Sequence, residues 1–421
     1  MSERIPEGWC AEELGNLAKK IEGGGTPSRN EPSFWGGSIP WATVKDLRGT
    51  ALCNTQESIT EAGLENSSSK LIPANTLILA CRMAVGKAVF FDRDVAINQD
   101  LKAFYPRSDV DWRFLLQWYV AKSHVIEGLA TGSTVKGIRL ENLKTLPINT
   151  PPLPEQKKIA AILLSVDEVI EKTRAQIDKL KDLKTGMMQE LLTKGIGHTE
   201  FKDSPVGRIP ASWKVTDLAS IVVPKGLQTG PFGSQLHAHE YVEWGVPVVM
   251  PKDMKGSRID SRTIAYIPLG RAEQLSKHRV KYGDVLFARR GDIGRFALVE
   301  RANEGWLCGT GCLKARFAPS IDPIFISCYL MQPPVVEWLN ANAVGQTMLN
   351  LNTSILADLP IILPPENEQK TIGGAISSLD SQVNSMTRKL AGLIKTKKAL
   401  MQDLLTGKVR VKVDQKEPAV A

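Results

Sequence analysis

Arg289-Arg290-Gly291-Asp292-x-Gly294-Arg295 is the densest cationic cluster of this chain, and Arg82-x-x-x-Gly86-Lys87 echoes it far upstream. Arginine presents a planar fork that matches O6 and N7 of guanine, while lysine and backbone amides hold phosphates. Gly24-Gly25-Thr26-Pro27-Ser28-Arg29 offers backbone amides that cradle a phosphate, or else forms a tight turn. Lys45-Asp46 and Lys252-Asp253 fall at the ends of expected strands, where each reads equally as a structural turn pair or as a lysine offered to phosphate. The candidate nucleic-acid contacts are therefore Thr26, Ser28, Arg29, Lys45, Arg82, Lys87, Lys252, Arg289, Arg290 and Arg295. A net charge of +8 favours an anionic partner, because neutralising phosphates supplies most non-specific affinity for nucleic acid. The same charge is compatible with a merely basic surface.

Catalytic signatures fail one by one. A methyltransferase acting on a base amino group needs an Asn/Asp-Pro-Pro-aromatic loop. The Pro-Pro pairs here read Thr150-Pro151-Pro152-Leu153, Gln332-Pro333-Pro334-Val335 and Leu363-Pro364-Pro365-Glu366. A phosphate loop fails because Gly86-Lys87 is followed by Ala88, with Cys81 where the leading glycine belongs. Asp182-Leu183-Lys184 spells the end of an acidic nuclease motif but lies on a helical stretch. The six cysteines, at 10, 53, 81, 308, 312 and 328, form no Cys-x-x-Cys and read as buried free thiols. Cys308 and Cys312 with His237 and His239 match no standard zinc spacing. No catalytic residue, metal ligand or cofactor site is assigned to this chain. No apolar run approaches a membrane span and no signal-peptide core follows Met1, so a cytoplasmic protein without membrane contact is expected.

Self-comparison shows what must position the cations. Leu146-Pro147 through Glu155-Gln156-Lys157 returns as Leu359-Pro360 through Glu368-Gln369-Lys370, an offset of 213 residues. Met188 through Thr193 returns as Met401 through Thr406, and Asp167 and Gly132 return as Asp380 and Gly345, all at that offset. Upstream, Ile5-Pro6-x-x-Trp9 mirrors Ile209-Pro210-x-x-Trp213, Pro40 through Asp46 mirrors Pro247 through Asp253, and Leu101-Lys102-Ala103 mirrors Leu313-Lys314-Ala315. The chain is two copies of one unit with loop insertions between them.

Each copy opens with a stretch rich in Gly, Pro, Trp and short β-type runs such as Thr76-Leu77-Ile78-Leu79 and Val285-Leu286-Phe287, and closes with a long helix. In the second copy Ile376, Leu379, Val383, Met386, Leu390, Leu393, Leu400 and Leu404 keep heptad spacing, with Lys397 in the one polar slot. The first copy carries Ile159, Ile162, Val166, Val169, Leu180, Met187 and Leu191, interrupted at Thr173. So narrow a seam needs a partner helix, and the other copy supplies one, antiparallel. The expected fold is α+β: two mixed α/β globules alternating with two long helices that pair as an antiparallel coiled coil, with a pseudo-two-fold internal repeat. The expected segments are a globule over 1–153, a spacer helix over 154–197, a globule over 198–364, a spacer helix over 365–408 and a flexible tail over 409–421. A rod of roughly 55 Å suits globules that meet successive faces of a duplex repeating every ~34–36 Å.

Gly24-Gly25-Thr26-Pro27-Ser28, Phe34-Trp35-Gly36-Gly37-x-Ile39-Pro40-Trp41 and Lys45-Asp46-Leu47 together resemble the opening of a target-recognition domain of type I restriction enzyme specificity subunits. Leu153-Pro154-Glu155-Gln156-Lys157, running into Ile159-Ala160-Ala161-Ile162-Leu163 and Asp167, is similar to that family's spacer helix. The resemblance runs from residue 4 to about 410. It implies a non-catalytic, sequence-specific subunit that reads a bipartite, asymmetric site in double-stranded DNA. Its implied partners are two modification subunits, which carry S-adenosylmethionine, and restriction subunits that translocate and cut. It also raises stacking of Trp35 or Trp41 on a flipped base, although a Trp beside Ile-Pro more often belongs to a core. The second copy has Gly230-Pro231-Phe232-Gly233-Ser234 where the first has Gly-Gly-Thr-Pro-Ser, which points to two different half-sites. The alternatives are a non-enzymatic coiled-coil scaffold or regulator with an incidental basic surface, and a stand-alone DNA methyltransferase, against which the missing catalytic loop speaks.

Overall fold

A computed structural model describes residues 5–132, 135–345 and 349–413. The chain divides into two units, one running to Arg174 and resuming at Arg388, the other running from Ala175 to Thr387. Each unit thus holds one globule, half of the first long helix, Leu153–Lys194, and half of the second, Glu366–Leu404.

In the first unit a five-stranded sheet runs in the order Ala18–Gly23, Leu101–Pro106, Leu77–Ala80, Ala88–Phe91, Ala51–Leu52. A four-stranded sheet runs Glu57–Ile59, Trp35–Ala42, Val95–Ile97, Lys70–Ile72. Leu77-Ile78-Leu79-Ala80 is apolar without alternation because it is buried on both faces. One face packs on the helix Trp112–Ala121 and on Ile159, Ala160 and Leu163 of the first long helix.

The second unit repeats the plan. Its main sheet runs Val222–Thr229, Cys312–Phe317, Val285–Ala288, Phe296–Leu298. Its smaller sheet runs Ala265–Ile267, Val246–Val249, Leu307–Cys308. The repeated Trp and Glu form equivalent clasps between the start of each globule and the helix that follows it. Trp9 Nε1 donates to Glu155 at 3.2 Å, and Trp213 Nε1 donates to Glu368 at 2.9 Å.

Within each unit the two helix halves pack antiparallel. In the first, Lys397 Nζ lies 2.6 Å from Asp167 and Arg410 makes two bonds to Glu155, at 2.7 and 2.8 Å. In the second, Lys184 Nζ lies 2.6 Å from Asp380 and His198 Nε2 lies 2.8 Å from Glu368. One partner's number falls as the other's rises. Lys397 and Asp380 stand 213 residues after Lys184 and Asp167, so the two ion pairs are copies of each other.

The second helix turns Ile376, Leu379, Val383, Met386, Leu390, Leu393, Lys397, Leu400 and Leu404 inward, each at most partly exposed, and Ile372 extends the row. The first helix differs from expectation by one residue. Ile159, Val166 and Leu180 lie in the row, but Leu163 and Ile170 are buried in place of Ile162 and Val169, and Val169 is 42% exposed. Thr173 does not interrupt the row: it is buried, its hydroxyl donating to the Val169 carbonyl at 2.7 Å. Ile177 and Leu192 are also buried, while Met187 and Leu191 are half-buried. Apolar neighbours at 162/163 and 169/170 permit two registers 100° apart, and packing selects the one with an unbroken row.

Three other expectations need correction. The helices end at Lys194 and Leu404, each soon followed by a glycine of positive φ, Gly195 at +66° and Gly407 at +70°, a common way for helices to stop. Of the flexible tail, residues 409–413 are placed, Arg410 by Glu155 and Val411 against the core, while 414–421 lie outside the described residues. Cys10, at the start of strand Cys10–Glu13, and Cys53, just after strand Ala51–Leu52, are exposed rather than buried. No helix among the described residues is long and apolar enough to cross a membrane.

Candidate nucleic-acid interface

Four loops meet at one end of the main sheet of the first unit. Gly23 pairs with Lys102, and Leu101 pairs with Ala80, so the loops 24–29, 98–100 and 81–87 leave adjacent strand ends. The turn 43–47 joins them, since Asn98 N donates to Ala42 O at 3.1 Å and Lys87 Nζ to Leu47 O at 3.0 Å. The fold thus gathers Thr26, Lys45, Arg82 and Lys87. Thr26 Oγ1 donates to Gln99 at 2.6 Å, and Arg82 Nε lies 3.7 Å from Asp100.

The glycines here serve close packing. A Cβ on Gly24 would stand 1.8 Å from the Ile97 carbonyl, and Gly25 N already donates to that carbonyl at 3.0 Å. An amide so bonded is not free to hold a phosphate, so the cradle reading does not apply at Gly25. Ser28 is exposed, its carbonyl accepting from Trp35 Nε1 at 3.0 Å. Arg29 is exposed but neutralised locally. It forms a two-pronged pair with Glu57 and lies 3.7 Å from the centre of the Trp35 ring. The hydrogen bond from Arg29 holds the Glu57 carboxyl below the usual carboxylate range. Trp41 is buried and donates to Gly25 O at 3.1 Å, which rules out stacking on an extruded base without unfolding the turn. Trp35 packs edge-on against it.

Both Lys-Asp pairs divide their labour. Asp46 is buried and accepts from the amides of Thr43 and Gln56 at 2.8 Å each, which fixes the turn. Asp253 is buried and accepts from Met250 N at 2.9 Å, burial pushing its carboxyl upward. Lys45 and Lys252 project into solvent from those turns.

At the corresponding end of the second unit, Gly230 N donates to Cys312 O, Arg289 N to Gly311 O and Leu351 N to Arg289 O, all at 2.8 Å. A Cβ on Gly230 would stand 2.0 Å from Gly309 O. Arg289 Nε donates to Asn350 at 3.1 Å and its guanidinium lies 5.8 Å from the centre of the exposed Phe232 ring. Arg295 is held by Asp292 at 2.8 Å and by Pro251 O at 3.3 Å, which brings it beside Lys252. Arg290 is exposed, with no ion pair or side-chain hydrogen bond among the described residues.

The loop framework repeats in detail. Arg82 bridges Gly137, which bridges Thr131; Arg290 bridges Asn350, which bridges Val344. Gly86 and Gly294 hold φ of +92° and +94°. Gln99, which braces Thr26, and Asp100, Phe232 and Asn350, which brace the arginines, are functional neighbours that the sequence does not single out. Only Asn350 had a signal, as the counterpart of Gly137 at the 213-residue offset. Among the described residues no His, Cys, Asp and Glu cluster is disposed to hold a metal.

Comparison with known proteins agrees with this architecture. Residues 6–182 and 241–395 match the family described as type I restriction modification DNA specificity domain. The chain is 32% identical to a putative type I restriction enzyme MjaX specificity subunit of Methanocaldococcus jannaschii, over 97% of this chain and 95% of that one. It is 25% identical to the MjaVIII specificity subunit of the same organism over the same shares. The crystal structure of a type I restriction-modification system S subunit from M. genitalium has the same fold, with a TM-score of 0.64 and 16% identity over 96% of this chain and 97% of that one. The chain belongs to the type I restriction enzyme specificity subunits and carries two copies of their DNA specificity domain.

Proposed function

We propose that this chain is the sequence-reading, non-catalytic subunit of a type I restriction-modification complex, each unit meeting one half of a bipartite DNA site. The observation that carries the reading is the repeated loop framework, one backbone design presenting different side chains in each copy. Different side chains on a common frame suit an asymmetric target. Two recognition domains, one before each of the spacer helices Leu153–Lys194 and Glu366–Leu404, follow from the same reading, as does the role of the paired helices in setting the unread gap. The chain binds no cofactor of its own. It recruits two modification subunits, which bring S-adenosylmethionine, and restriction subunits, all in the cytoplasm.

Arg290 tests the reading. An exposed arginine on a braced loop suits a guanine edge, whereas Arg289 and Arg295 are already engaged by Asn350 and Asp292. With DNA selected from a random pool by the wild type, Arg290→Ala is expected to weaken binding by ~1–3 kcal/mol, or about 5–150-fold, and to relax the choice at one position only. Wild-type affinity is expected to fall with salt at about −0.9 in log–log slope per phosphate neutralised. A chain that enriches no sequence at any salt is a scaffold instead.

A further inference from the structure

Met83 holds a left-handed backbone position that the second copy fills with glycine. The loop 82–87 joins the antiparallel strands Leu77–Ala80 and Ala88–Phe91, and 290–295 joins Val285–Ala288 to Phe296–Leu298. The loops share a frame: Arg82 and Arg290 form equivalent bridges, Lys87 N and Arg295 N close the same turn onto Ala84 O and Asp292 O, and Gly86 and Gly294 have φ within a few degrees. At the second position the second unit has Gly291, at φ +83°, and the first has Met83, at φ +61°. A left-handed backbone costs a residue with a Cβ about 1–2 kcal/mol.

That cost is not recovered by burial, because the Met83 side chain is 64% exposed. The loop also holds it firmly, since Met83 N donates to Lys136 O at 2.9 Å and Arg82 bridges Gly137. Strain retained without a packing return marks a side chain used outside the fold. Its surroundings indicate the chemistry of what it meets. Arg82 beside it and Lys136, whose carbonyl it binds, are exposed, and Val135 next to Lys136 is a further exposed apolar group. The acidic groups nearby are Asp100, close to Arg82, and Glu127, beside Gly86. An apolar finger flanked by cations fits a ligand with apolar steps between rows of phosphate.

We propose that Met83 is a wedge that enters the DNA groove and parts a base step at the half-site met by the first unit, while Arg82 and Lys136 hold the flanking phosphates. An unbranched thioether adapts to such a gap, and apolar wedges of this kind kink the duplex. The second unit, with glycine there, leaves its half-site unkinked. This inference rests on the DNA-reading function proposed above.

The test uses the full chain with its modification subunits and DNA that the wild type selects from a random pool, with 2-aminopurine placed through the first half-site. Wild type is expected to raise the fluorescence at one step, reporting unstacking. Met83→Gly, which installs the residue of the other copy and should fold at least as stably, is expected to abolish that signal and weaken binding about tenfold, while Met83→Leu keeps both. If Met83→Gly binds and unstacks like wild type, the wedge is wrong. If it instead weakens assembly with the modification subunits and leaves DNA binding intact, the side chain is a protein contact. Wild type that enriches no DNA overturns the underlying function, and the wedge with it.

Discussion

Lys397→Met is expected to destabilise the helix pair of the first unit by about 3–5 kcal/mol, and adding Asp167→Leu is expected to restore most of that loss. The two groups are only 12% and 18% exposed, so removing the lysine leaves a carboxylate in a poorly solvated place. Gln117 Nε2, 2.9 Å away, then remains as its partner, without the opposing charge. Replacing both with apolar side chains removes the demand for a counter-charge, which is why the double change is milder than the single one. Lys184 and Asp380, at 21% and 32%, are better solvated, so Lys184→Met should cost less. Hydrogen exchange of the helical amides around 393–400 measures the first pair. Equal protection in wild type and Lys397→Met would show the ion pair to be ornamental.

Acid is expected to loosen the second unit through His278. This side chain is buried, and burial together with the nearby Lys277 and Lys314 lowers its pKa from 6.5 to about 4. Lys314 is itself buried and donates to the Lys277 and Arg279 carbonyls at 2.9 and 3.1 Å. Between the two pKa values the unfolded chain binds more protons than the folded one. The stability is therefore fully present above the unfolded value and declines as pH falls toward the folded one. Between pH 7 and pH 5 the loss should be about 2 kcal/mol. Exchange protection of strand Val285–Ala288 reports it, and His278→Phe should remove this part of the pH dependence. If the variant follows the wild-type pH curve, some other group carries the acid sensitivity.

Much of this organisation was legible because it is repeated. The 213-residue offset located both helices, matches at smaller, shifting offsets upstream located both globules, and the break at Lys397 marked a polar slot in an apolar row. Its partner Asp167 was visible as a repeated residue but not as the answer to that slot, since pairing depends on which way and how far the helices overlap. The first seam lies one residue from the heptad expectation for a local reason, the adjacent apolar pairs Ile162-Leu163 and Val169-Ile170. The basic loops were readable as loops and as basic. What they could not disclose was how many of their charges are already engaged. Arg29 finds Glu57 across 28 residues, and Arg289 finds Asn350 across 61, contacts that exist only after the strands are ordered. Met83 looked unremarkable until its backbone could be set beside that of Gly291.

The most direct measurement is a footprint of this chain, with its modification subunits, on DNA carrying the sequence it selects. Two protected patches of unrelated sequence, parted by base pairs whose identity does not matter, are the expected result. A single continuous patch, or protection that ignores sequence, would contradict a subunit that reads DNA with two separate sets of loops.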